Sequence, residues 1–414
     1  MAEMHAVRDP LWKHIYLPQK LYEACFTKEF LRLSAIKQLG PTYMVYPGAT
    51  HTRASHSFGV YYIASRLLET LLRKGAVQWV SKTGCASFKA AALFHDLGHF
   101  PYTHSLKELP LKDHEELTGS IIRNSSIASL IDESGGNAEQ TAEIVDTSIQ
   151  TDNTETLFFR KLLSGVLDPD KLDYLNRDAF FCGVPYGIQD TDFVLSAVMP
   201  DKEKGITLPS QAILSVENLL FSKYLMYRAV YWHKTVRIAT AMMKKTLYTA
   251  LQNEIVRPEE LYTLDDQGLY TLLENKPYFE ELECADAVKK RRIYSVMFES
   301  PFSPDTVFHT RLEKLDFRLL SEIQIAQIIG CKPYQVIIDI PERISFESDL
   351  WINDEKTVFS NSSTVFTTGT VSSFTSKLRK IRCALDPEFL AAAVSSDIQK
   401  LKKLIEDFFF MQYT

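Results

Sequence analysis

Several features that mark membrane, secreted or zinc-finger proteins are missing from this 414-residue chain. Its longest apolar runs are too short and too often interrupted to span a bilayer. Residues 1–10 have neither the basic start nor the apolar core of a secretory signal, which predicts a cytoplasmic location. The six cysteines form no Cys-x-x-Cys pair, so the pattern argues against a zinc ribbon, a redox dithiol and a disulfide framework.

An excess of positive charge is also missing. The chain carries 46 Lys and Arg against 52 Asp and Glu, a net charge of −6. Nucleic acid is therefore not indicated as a partner, and a small, highly charged substrate in a cleft fits better. Apolar residues make up 45% and charged residues 24%, as in ordinary globular proteins. The length suffices for one large domain with an elaborated end, or for two domains.

Helical periodicity dominates up to about residue 300, and β-like segments follow. The helical segments that we predict are short turns before residue 50, then 55–74, 87–97, 113–131, 155–180 and one long helix over about 213–254. Residues 334–340 and 356–375 are typical of strands, and a final amphipathic helix is predicted over about 387–410. We therefore predict a mainly α protein, with a helical core over 1–300 and a small α/β region over 301–414.

Histidine is concentrated in one stretch. Six of the ten histidines lie between residues 51 and 114, namely His51, His56, His95, His99, His104 and His114. A lone His95-Asp96 pair is weak evidence, because a buried histidine satisfied by a neighbouring acid is the commoner reading. Together with His56 and Asp170, however, it could place two imidazoles and two carboxylates around one ion, with open positions for water and substrate. We expect a structural role for His51.

Four segments carry a resemblance to a known family. They are Ile36-Lys-Gln-Leu-Gly40, Tyr46-Pro-Gly-Ala-Thr-His-Thr-Arg-Ala-Ser-His-Ser-Phe-Gly-Val60, Phe94-His-Asp-Leu-Gly-His-Phe-Pro-Tyr-Thr-His104 and Asp168-Pro-Asp-Lys-Leu-Asp-Tyr-Leu-Asn-Arg-Asp178. They resemble the motifs of HD-domain phosphohydrolases of the deoxynucleoside triphosphate triphosphohydrolase family, and are most similar to the branch of the SAM-and-HD-domain protein and its bacterial relatives. The resemblance extends from about residue 7 to 245, with the HD motifs over 51–178.

The resemblance implies a helical catalytic core and a reaction. Water attacks the α-phosphorus of a deoxynucleoside triphosphate (dNTP), which releases deoxynucleoside and inorganic triphosphate. The implied metal ligands are His56, His95, Asp96 and Asp170. The sequence does not distinguish Fe, Mn, Ni, Co and Mg as the single divalent ion. The implied catalytic residues are His99 and His104 beside the reacting phosphate, His114 as proton donor to the departing 5′-oxygen, and Glu115 next to it.

The resemblance also implies how the substrate is bound. The implied phosphate-binding residues are Arg53, Lys171, Tyr174 and Lys223, of which Lys223 occupies an arginine position and so loses the bidentate fork. Gln38 and Asp178 match the pair that holds the sugar 3′-hydroxyl. Leu39 and Tyr231 match residues that pack where a 2′-hydroxyl would project. An unpartnered hydroxyl against apolar surface is penalised, so this packing favours deoxyribose.

Two departures from the animal relative affect catalysis and regulation. Lys107 replaces an aspartate that helps to orient the proton donor, and the adjacent Glu108 could substitute for it. Phe26, Leu31 and Ser34 replace the acid, amide and arginine that bind an activating guanine nucleotide, so we predict that guanine-specific activation by that route is absent. Because relatives form dimers or tetramers, a homo-oligomer is expected.

Two alternatives remain open from the sequence. One is another HD phosphohydrolase, acting as a nucleotidase, phosphodiesterase or nuclease. The other is a weakly catalytic nucleotide-binding sensor, which only Lys107 supports. The sequence identifies neither the preferred base, the physiological metal, the activator, the oligomer size nor the role of residues 301–414.

Overall fold

A computed structural model of the chain describes residues 3–344, 349–367, 369–370, 378–393 and 395–411. Helices make up most of it, and the strands form small sheets, so the prediction of a mainly α protein with a small sheet region near the C-terminus is confirmed. Within the described residues, no helix is both long enough and apolar enough to cross a lipid bilayer.

The helices and strands are as follows. The helices are α1 Gln19–Ala24, α2 Lys28–Leu33, α3 Arg53–Arg73, α4 Lys82–Phe94, α5 His114–Asn124, α6 Ile127–Glu133, α7 Ala138–Val145, α8 Thr154–Leu163, α9 Pro169–Cys182, α10 Thr191–Ala197, α11 Ile213–Met226, α12 Lys234–Gln252, α13 Pro258–Leu261, α14 Asp266–Glu274, α15 Leu282–Lys289, α16 Val307–Leu312, α17 Leu315–Ile329 and α18 Phe359–Ser362, followed by Pro387–Ala392 and Ser395–Met411. The strands are β1 Met4–Asp9, β2 Lys13–Pro18, β3 Met199–Asp201, β4 Gly205–Leu208, β5 Ser295–Pro301, β6 Val336–Asp339, β7 Trp351–Ile352, β8 Thr357–Val358 and β9 Lys380–Leu385.

The centre of the molecule is α3, which packs on α4 and on α9. It begins with a capping box, in which the Thr52 hydroxyl accepts from the Ser55 N–H at 3.3 Å and the Ser55 hydroxyl accepts from the Thr52 N–H at 3.2 Å. The helix predicted over 55–74 is thus confirmed. The next predicted helix ends earlier than expected, at Phe94, so His95 and Asp96 lie in the turn after α4.

The N-terminal segment differs from the prediction. Besides short helices, it contains an antiparallel hairpin in which β1 pairs with β2 and Val7 lies opposite Ile15. Ile15 and Leu17 are buried while their neighbours in β2 are more exposed, which is the two-residue period of a half-buried strand. The buried face of β2 has only two apolar residues. Such a short two-residue period is too weak a signal to predict a strand instead of a helical turn.

The single long helix predicted over about 213–254 is wrong as a continuous element. It consists of α11, a π-helical turn over Tyr227–Tyr231, and α12. The Trp232 N–H donates to the Tyr227 carbonyl at 2.9 Å, the five-residue spacing of a π-turn. The His233 side chain then caps α12 by accepting from the Thr235 N–H at 3.3 Å. No proline or glycine marks this break, so composition gave no sign of it.

The C-terminal region is built on the antiparallel sheet β5-β9-β6. The strand predicted over 334–340 is β6. In the segment predicted as strand over 356–375, the described residues include β8 and then α18, and residues 368 and 371–375 lie outside the described part. Two helices replace the predicted final one. Ile337 and Ala384 share a buried cluster with Met242 and Leu247 of α12, and the division at residue 300 stays a prediction.

Candidate metal and phosphate site

The four predicted metal ligands come from α3 and from two segments that pack against it. His56 lies in the first turn of α3, His95 and Asp96 in the turn after α4, and Asp170 in the first turn of α9. The His56 Nε2 lies 2.9 Å from the Asp170 Oδ1, and the His95 Nε2 lies 3.9 Å from the same oxygen. Ligand atoms of His56, His95 and Asp96 all lie within 4.8 Å of one another. The four side chains therefore converge on one point.

The hydrogen bonds of the two histidines fit a divalent ion at that point. The His95 Nδ1 lies 2.9 Å from the Ala92 carbonyl, which can only accept, so Nδ1 carries the proton and Nε2 has a lone pair. This buried Nε2 has no hydrogen-bond partner among the described residues. The His56 Nδ1 likewise faces the Asp173 Oδ2 at 2.8 Å, which directs Nε2 toward Asp170. Two imidazoles and two carboxylates suit a borderline or hard divalent ion.

The charge state of His56 reflects the same arrangement. Burial alone would lower its pKa, but the hydrogen bonds that the ring donates to Asp170 and Asp173 outweigh burial and raise the pKa to about 10. The metal-free site therefore holds an imidazolium between two carboxylates. An ion held by the Nε2 of His56 would replace that proton, so metal binding would release a proton.

A buried network that the sequence interpretation missed holds His56 in place. Arg177 donates to both oxygens of Asp173, at 2.7 and 2.9 Å, and to the Asp9 Oδ2 at 2.8 Å. The Trp12 indole N–H donates to the Asp173 Oδ1 at 2.5 Å. Gly59 leaves the space for this network, because an added Cβ would lie 1.8 Å from the Asp173 Oδ1. The spacing of Asp173 and Arg177, four residues apart on α9, is the signal that could have revealed the pair.

The His95-Asp96 turn is held by two further side chains that the sequence interpretation missed. Arg32 donates to the carbonyls of Leu97, at 2.5 Å, and of His99. The Thr118 hydroxyl accepts from the Gly98 N–H at 2.8 Å and donates to the His95 carbonyl at 3.0 Å. These contacts fix the backbone on both sides of Asp96.

Gly98 permits the close approach of α5 to this turn. A Cβ added there would lie 2.1 Å from the His114 carbonyl oxygen and 2.7 Å from the Thr118 nitrogen. The backbone φ of Gly98 is not positive, so the need for glycine here comes from packing and not from a left-handed backbone.

Three of the predicted catalytic residues, His99, His104 and His114, form a cluster of imidazoles beside the ligands. The ring centroid of His99 lies 4.7 Å from that of His104 and 4.1 Å from that of His114. The His99 Nδ1 lies 3.0 Å from the Asp96 Oδ1. Burial, followed by the charge of Arg53, holds the pKa of His99 well below its usual range, so this ring is neutral.

Asp113 is the carboxylate that accompanies His114. Its Oδ1 lies 3.1 Å from the His114 Nδ1 and caps α5 by accepting from the Glu115 N–H at 2.9 Å. The idea that Glu108 substitutes for the missing aspartate is not supported, because Glu108 instead pairs with Lys244 and Arg318. Glu115 lies 3.5 Å from the Thr147 hydroxyl, and burial raises the pKa of its carboxyl.

Two of the predicted phosphate-binding residues, Arg53 and Lys171, pair with carboxylates. Arg53 donates to the Asp96 Oδ2 at 2.8 Å, while its Nε has no hydrogen-bond partner among the described residues. The Lys171 ammonium donates to the Asp168 Oδ2 at 2.7 Å. Lys223 is buried in α11, and Tyr174 lies on α9.

The predicted sugar-binding residues include a carboxylate with two fixed partners. Asp178 accepts from the Tyr231 hydroxyl at 2.7 Å and lies 2.8 Å from the His51 Nε2. His51 therefore has the supporting position that the sequence suggested. Gln38 is linked to His51 through its backbone N–H, at 3.0 Å from the His51 carbonyl, and its buried Oε1 has no hydrogen-bond partner among the described residues. Leu39 follows directly and is half-buried.

Comparison with protein families identifies two matching regions. The HD domain model matches residues 53–155, and the model of the HD associated region matches residues 194–385. The first match includes His56, His95, Asp96 and the histidine cluster, whereas Asp170 lies between the two matches.

Among curated proteins, the chain is similar to uncharacterized protein YwfO of Bacillus subtilis, with 34% identity over 61% of this chain and 57% of that protein. It is 33% identical to uncharacterized protein MJ1154 of Methanocaldococcus jannaschii, over 70% and 59% of the two lengths. It is also 24% identical to human deoxynucleoside triphosphate triphosphohydrolase SAMHD1, over 81% and 60%. The chain spans less than two thirds of the length of each of these relatives.

Two solved structures are similar over nearly the whole chain. A phosphohydrolase from Bacteroides thetaiotaomicron has a TM-score of 0.71 and 26% identity, covering 93% of this chain and 100% of that one. A hypothetical protein from Aquifex aeolicus has a TM-score of 0.74 and 24% identity, covering 97% and 100%. The second likeness shows the fold alone.

We predict that Asp173→Asn weakens binding of a divalent ion by about 10- to 100-fold, because the δ nitrogen of His56 loses its carboxylate acceptor. Affinity should be measured by chelator competition at a temperature where circular dichroism shows both proteins folded. Asp192→Asn, which changes an exposed aspartate, is the matched control. Equal affinities of Asp173→Asn and the unaltered chain would contradict the role of Asp173.

Thr118→Val should lower the free energy of unfolding by about 1–3 kcal/mol, because it leaves the buried Gly98 N–H and His95 carbonyl without partners. Urea unfolding measures this change. Thr271→Val removes an exposed hydroxyl that bonds only within its own helix, at 3.1 Å from the Gln267 carbonyl, and should change stability by less than about 0.5 kcal/mol. An equal loss in both variants would argue against a special role for Thr118.

Proposed function

This chain belongs to the HD-domain phosphohydrolase family, and we propose that it hydrolyses dNTPs to deoxynucleoside and inorganic triphosphate. The observation that carries the proposal is the convergence of His56, His95, Asp96 and Asp170 beside a cluster of three further histidines. The name of the human relative, a deoxynucleoside triphosphate triphosphohydrolase, supports the choice of substrate.

The four converging side chains would hold one divalent ion. Such an ion supplies Lewis-acid chemistry, since it polarises a phosphoryl oxygen or lowers the pKa of a bound water. Asp173 and the Ala92 carbonyl orient the imidazoles of His56 and His95, so that both Nε2 atoms face the ion. Iron, manganese, nickel, cobalt and magnesium all remain candidates.

His114 would donate the proton that the departing 5′-oxygen needs. The carboxylate of Asp113 lies 3.1 Å from its Nδ1. Glu115 adds a second carboxylate beside His114 in the same turn of α5. His99 and His104 would line the reacting phosphate, with neutral His99 held between Asp96 and His104.

The cations around the site would bind the triphosphate. Arg53 keeps donors that its contact with Asp96 does not use, including Nε. Lys171 would have to leave Asp168 or share its ammonium between Asp168 and a phosphate. Lys223 and Tyr174 complete the predicted set, and the single ammonium of Lys223 gives a weaker contact than an arginine fork.

Asp178, Gln38, Leu39 and Tyr231 would recognise the deoxyribose. Because Tyr231 and His51 each face one oxygen of Asp178, the carboxylate is fixed yet keeps lone pairs that can accept a 3′-hydroxyl. Gln38 supplies the buried amide oxygen, which lacks a hydrogen-bond partner in the described chain. Leu39 and Tyr231 would pack against the carbon that carries a hydroxyl in ribose.

Regulation and assembly belong to the same proposal. Phe26, Leu31 and Ser34 are exposed, and the first two present large apolar side chains, so we propose that guanine-specific activation at these positions is absent. We also propose a homo-oligomer and a cytoplasmic location. The alternative of a weakly catalytic sensor rested on Lys107, and the carboxylate of Asp113 beside His114 favours an enzyme instead.

Metal-loaded protein incubated with each of the four dNTPs should release deoxynucleoside and inorganic triphosphate, identified by chromatography and ³¹P NMR. His95→Ala and Asp96→Ala should reduce the rate by at least about 100-fold, because each removes a ligand of the catalytic ion. His14→Ala, at an exposed histidine on β2, should retain the rate. Release of pyrophosphate with the nucleoside monophosphate would contradict the proposed reaction.

Asp178→Asn should abolish the preference for a 3′-hydroxyl. We expect the unaltered chain to have a kcat/KM for a dNTP about 10- to 100-fold above that for the 2′,3′-dideoxy analogue, since one hydrogen bond to a charged group contributes about 1.5–3 kcal/mol. In Asp178→Asn the two values should become similar. Asp190→Asn, a helix cap outside the site, should keep the preference. A preference that survives in Asp178→Asn would contradict the assignment of Asp178.

A further inference from the structure

The three histidines of the cluster are arranged like the ligands of a metal ion. One ring nitrogen from each of His99, His104 and His114 lies within 4.8 Å of the other two. The Nε2 atoms of His99 and His104 are 3.1 Å apart. Two imidazole nitrogens on a tetrahedral zinc ion, each about 2.05 Å from it, are about 3.4 Å apart, so only a small movement is needed to admit an ion.

Carboxylates lie beside the Nδ1 atoms of two of the three rings. The His99 Nδ1 lies 3.0 Å from the Asp96 Oδ1, and the His114 Nδ1 lies 3.1 Å from the Asp113 Oδ1. Neither Nδ1 makes a hydrogen bond among the described residues; a hydrogen bond to its carboxylate would leave Nε2 as the donor to a metal. Carboxylate, imidazole and metal in this order are the usual outer and inner layers of a zinc site.

Charged groups of both signs lie beside the cluster. They are the carboxylates of Asp96, Asp113 and Glu115 and the cations Arg53 and Lys107. His104 is exposed to solvent and His114 is half-buried, which provides an entry path. Since the three inner donors are all imidazoles, the cluster selects zinc or cobalt over magnesium, which requires oxygen ligands.

We propose that His99, His104 and His114 form a second, zinc-selective metal site, separate from the site of His56, His95, Asp96 and Asp170. Asp96 lies between the two, with its Oδ1 3.3 Å from the His95 Nε2 and 3.0 Å from the His99 Nδ1. The inference needs no assumption about the reaction. Its one consequence for catalysis rests on the proposed function. A zinc ion bound to His114 would block the proton donor, so excess zinc should inhibit dNTP hydrolysis.

The test counts metal ions on the full chain without any substrate. Protein stripped with a chelator is dialysed against excess Zn²⁺, or titrated with Co²⁺, and the bound metal is measured by mass spectrometry and by the visible Co²⁺ spectrum. The unaltered chain should bind two ions. His104→Gln should bind one, with at least about a 100-fold loss of affinity at the second site, and His56→Gln should lose the other ion while keeping the Co²⁺ spectrum of a three-imidazole site.

His14→Gln is the matched control, because it removes an exposed histidine that contacts Arg8 rather than the cluster, and it should keep both ions. His104 is exposed, so its replacement leaves the core intact, and circular dichroism verifies folding. One ion per unaltered chain at saturating Zn²⁺, or two ions on both His104→Gln and His114→Gln, would overturn the inference. The metal counts are made without nucleotide and are independent of the dNTP product assays. An experiment can therefore contradict the second site without contradicting the proposed reaction, and the reverse.

Discussion

The buried ion pair between Asp173 and Arg177 is the interaction on which the arrangement of His56 depends. Arg177 is completely buried, and a charge in that environment is tolerated only when its donors are paired. Asp173 accepts two of its hydrogen bonds and Asp9 accepts a third. Removing one partner of such a pair costs about 3–5 kcal/mol, so the pair holds the N-terminal hairpin, α3 and α9 in one geometry.

This ion pair and other buried contacts fix the positions of the side chains that face the site. The Oδ2 of Asp173 contacts both Arg177 and His56, so the ion pair fixes the orientation of the histidine ring. On the opposite side, Thr118 and Arg32 hold the backbone around Asp96. The converging side chains therefore come from segments far apart in sequence, each fixed by a buried contact of its own.

The sequence predicted those parts of the structure that local patterns encode. The amphipathic period of α3 predicted that helix closely, and the resemblance to the HD-domain family predicted that His56, His95, Asp96 and Asp170 lie together. The π-turn at Tyr227–Tyr231 could not be predicted, because helical periodicity continues through it without proline or glycine.

The support around the histidines was harder to predict, for a different reason. Lys107 stands where the animal relative has an aspartate, whereas the carboxylate beside His114 in this chain is that of Asp113, which directly precedes it. Asp113 adopts extended backbone geometry as the cap of α5, and this conformation brings its carboxylate back to the His114 ring. A partner that depends on a change of backbone direction at a helix end leaves no periodic signal in the sequence.

A carboxylate lies beside the Nδ1 of three histidines. The group that faces the other ring nitrogen, here called the inner nitrogen, differs between His56 and the histidine cluster. Asp173 faces the Nδ1 of His56, Asp96 that of His99 and Asp113 that of His114. The inner nitrogen of His56 meets the carboxylate of Asp170, whereas that of His99 meets the imidazole of His104. The carboxylate beside the inner nitrogen of His56 and the imidazole beside that of His99 thus differ in charge, and hard and borderline ions differ in their preference for such groups.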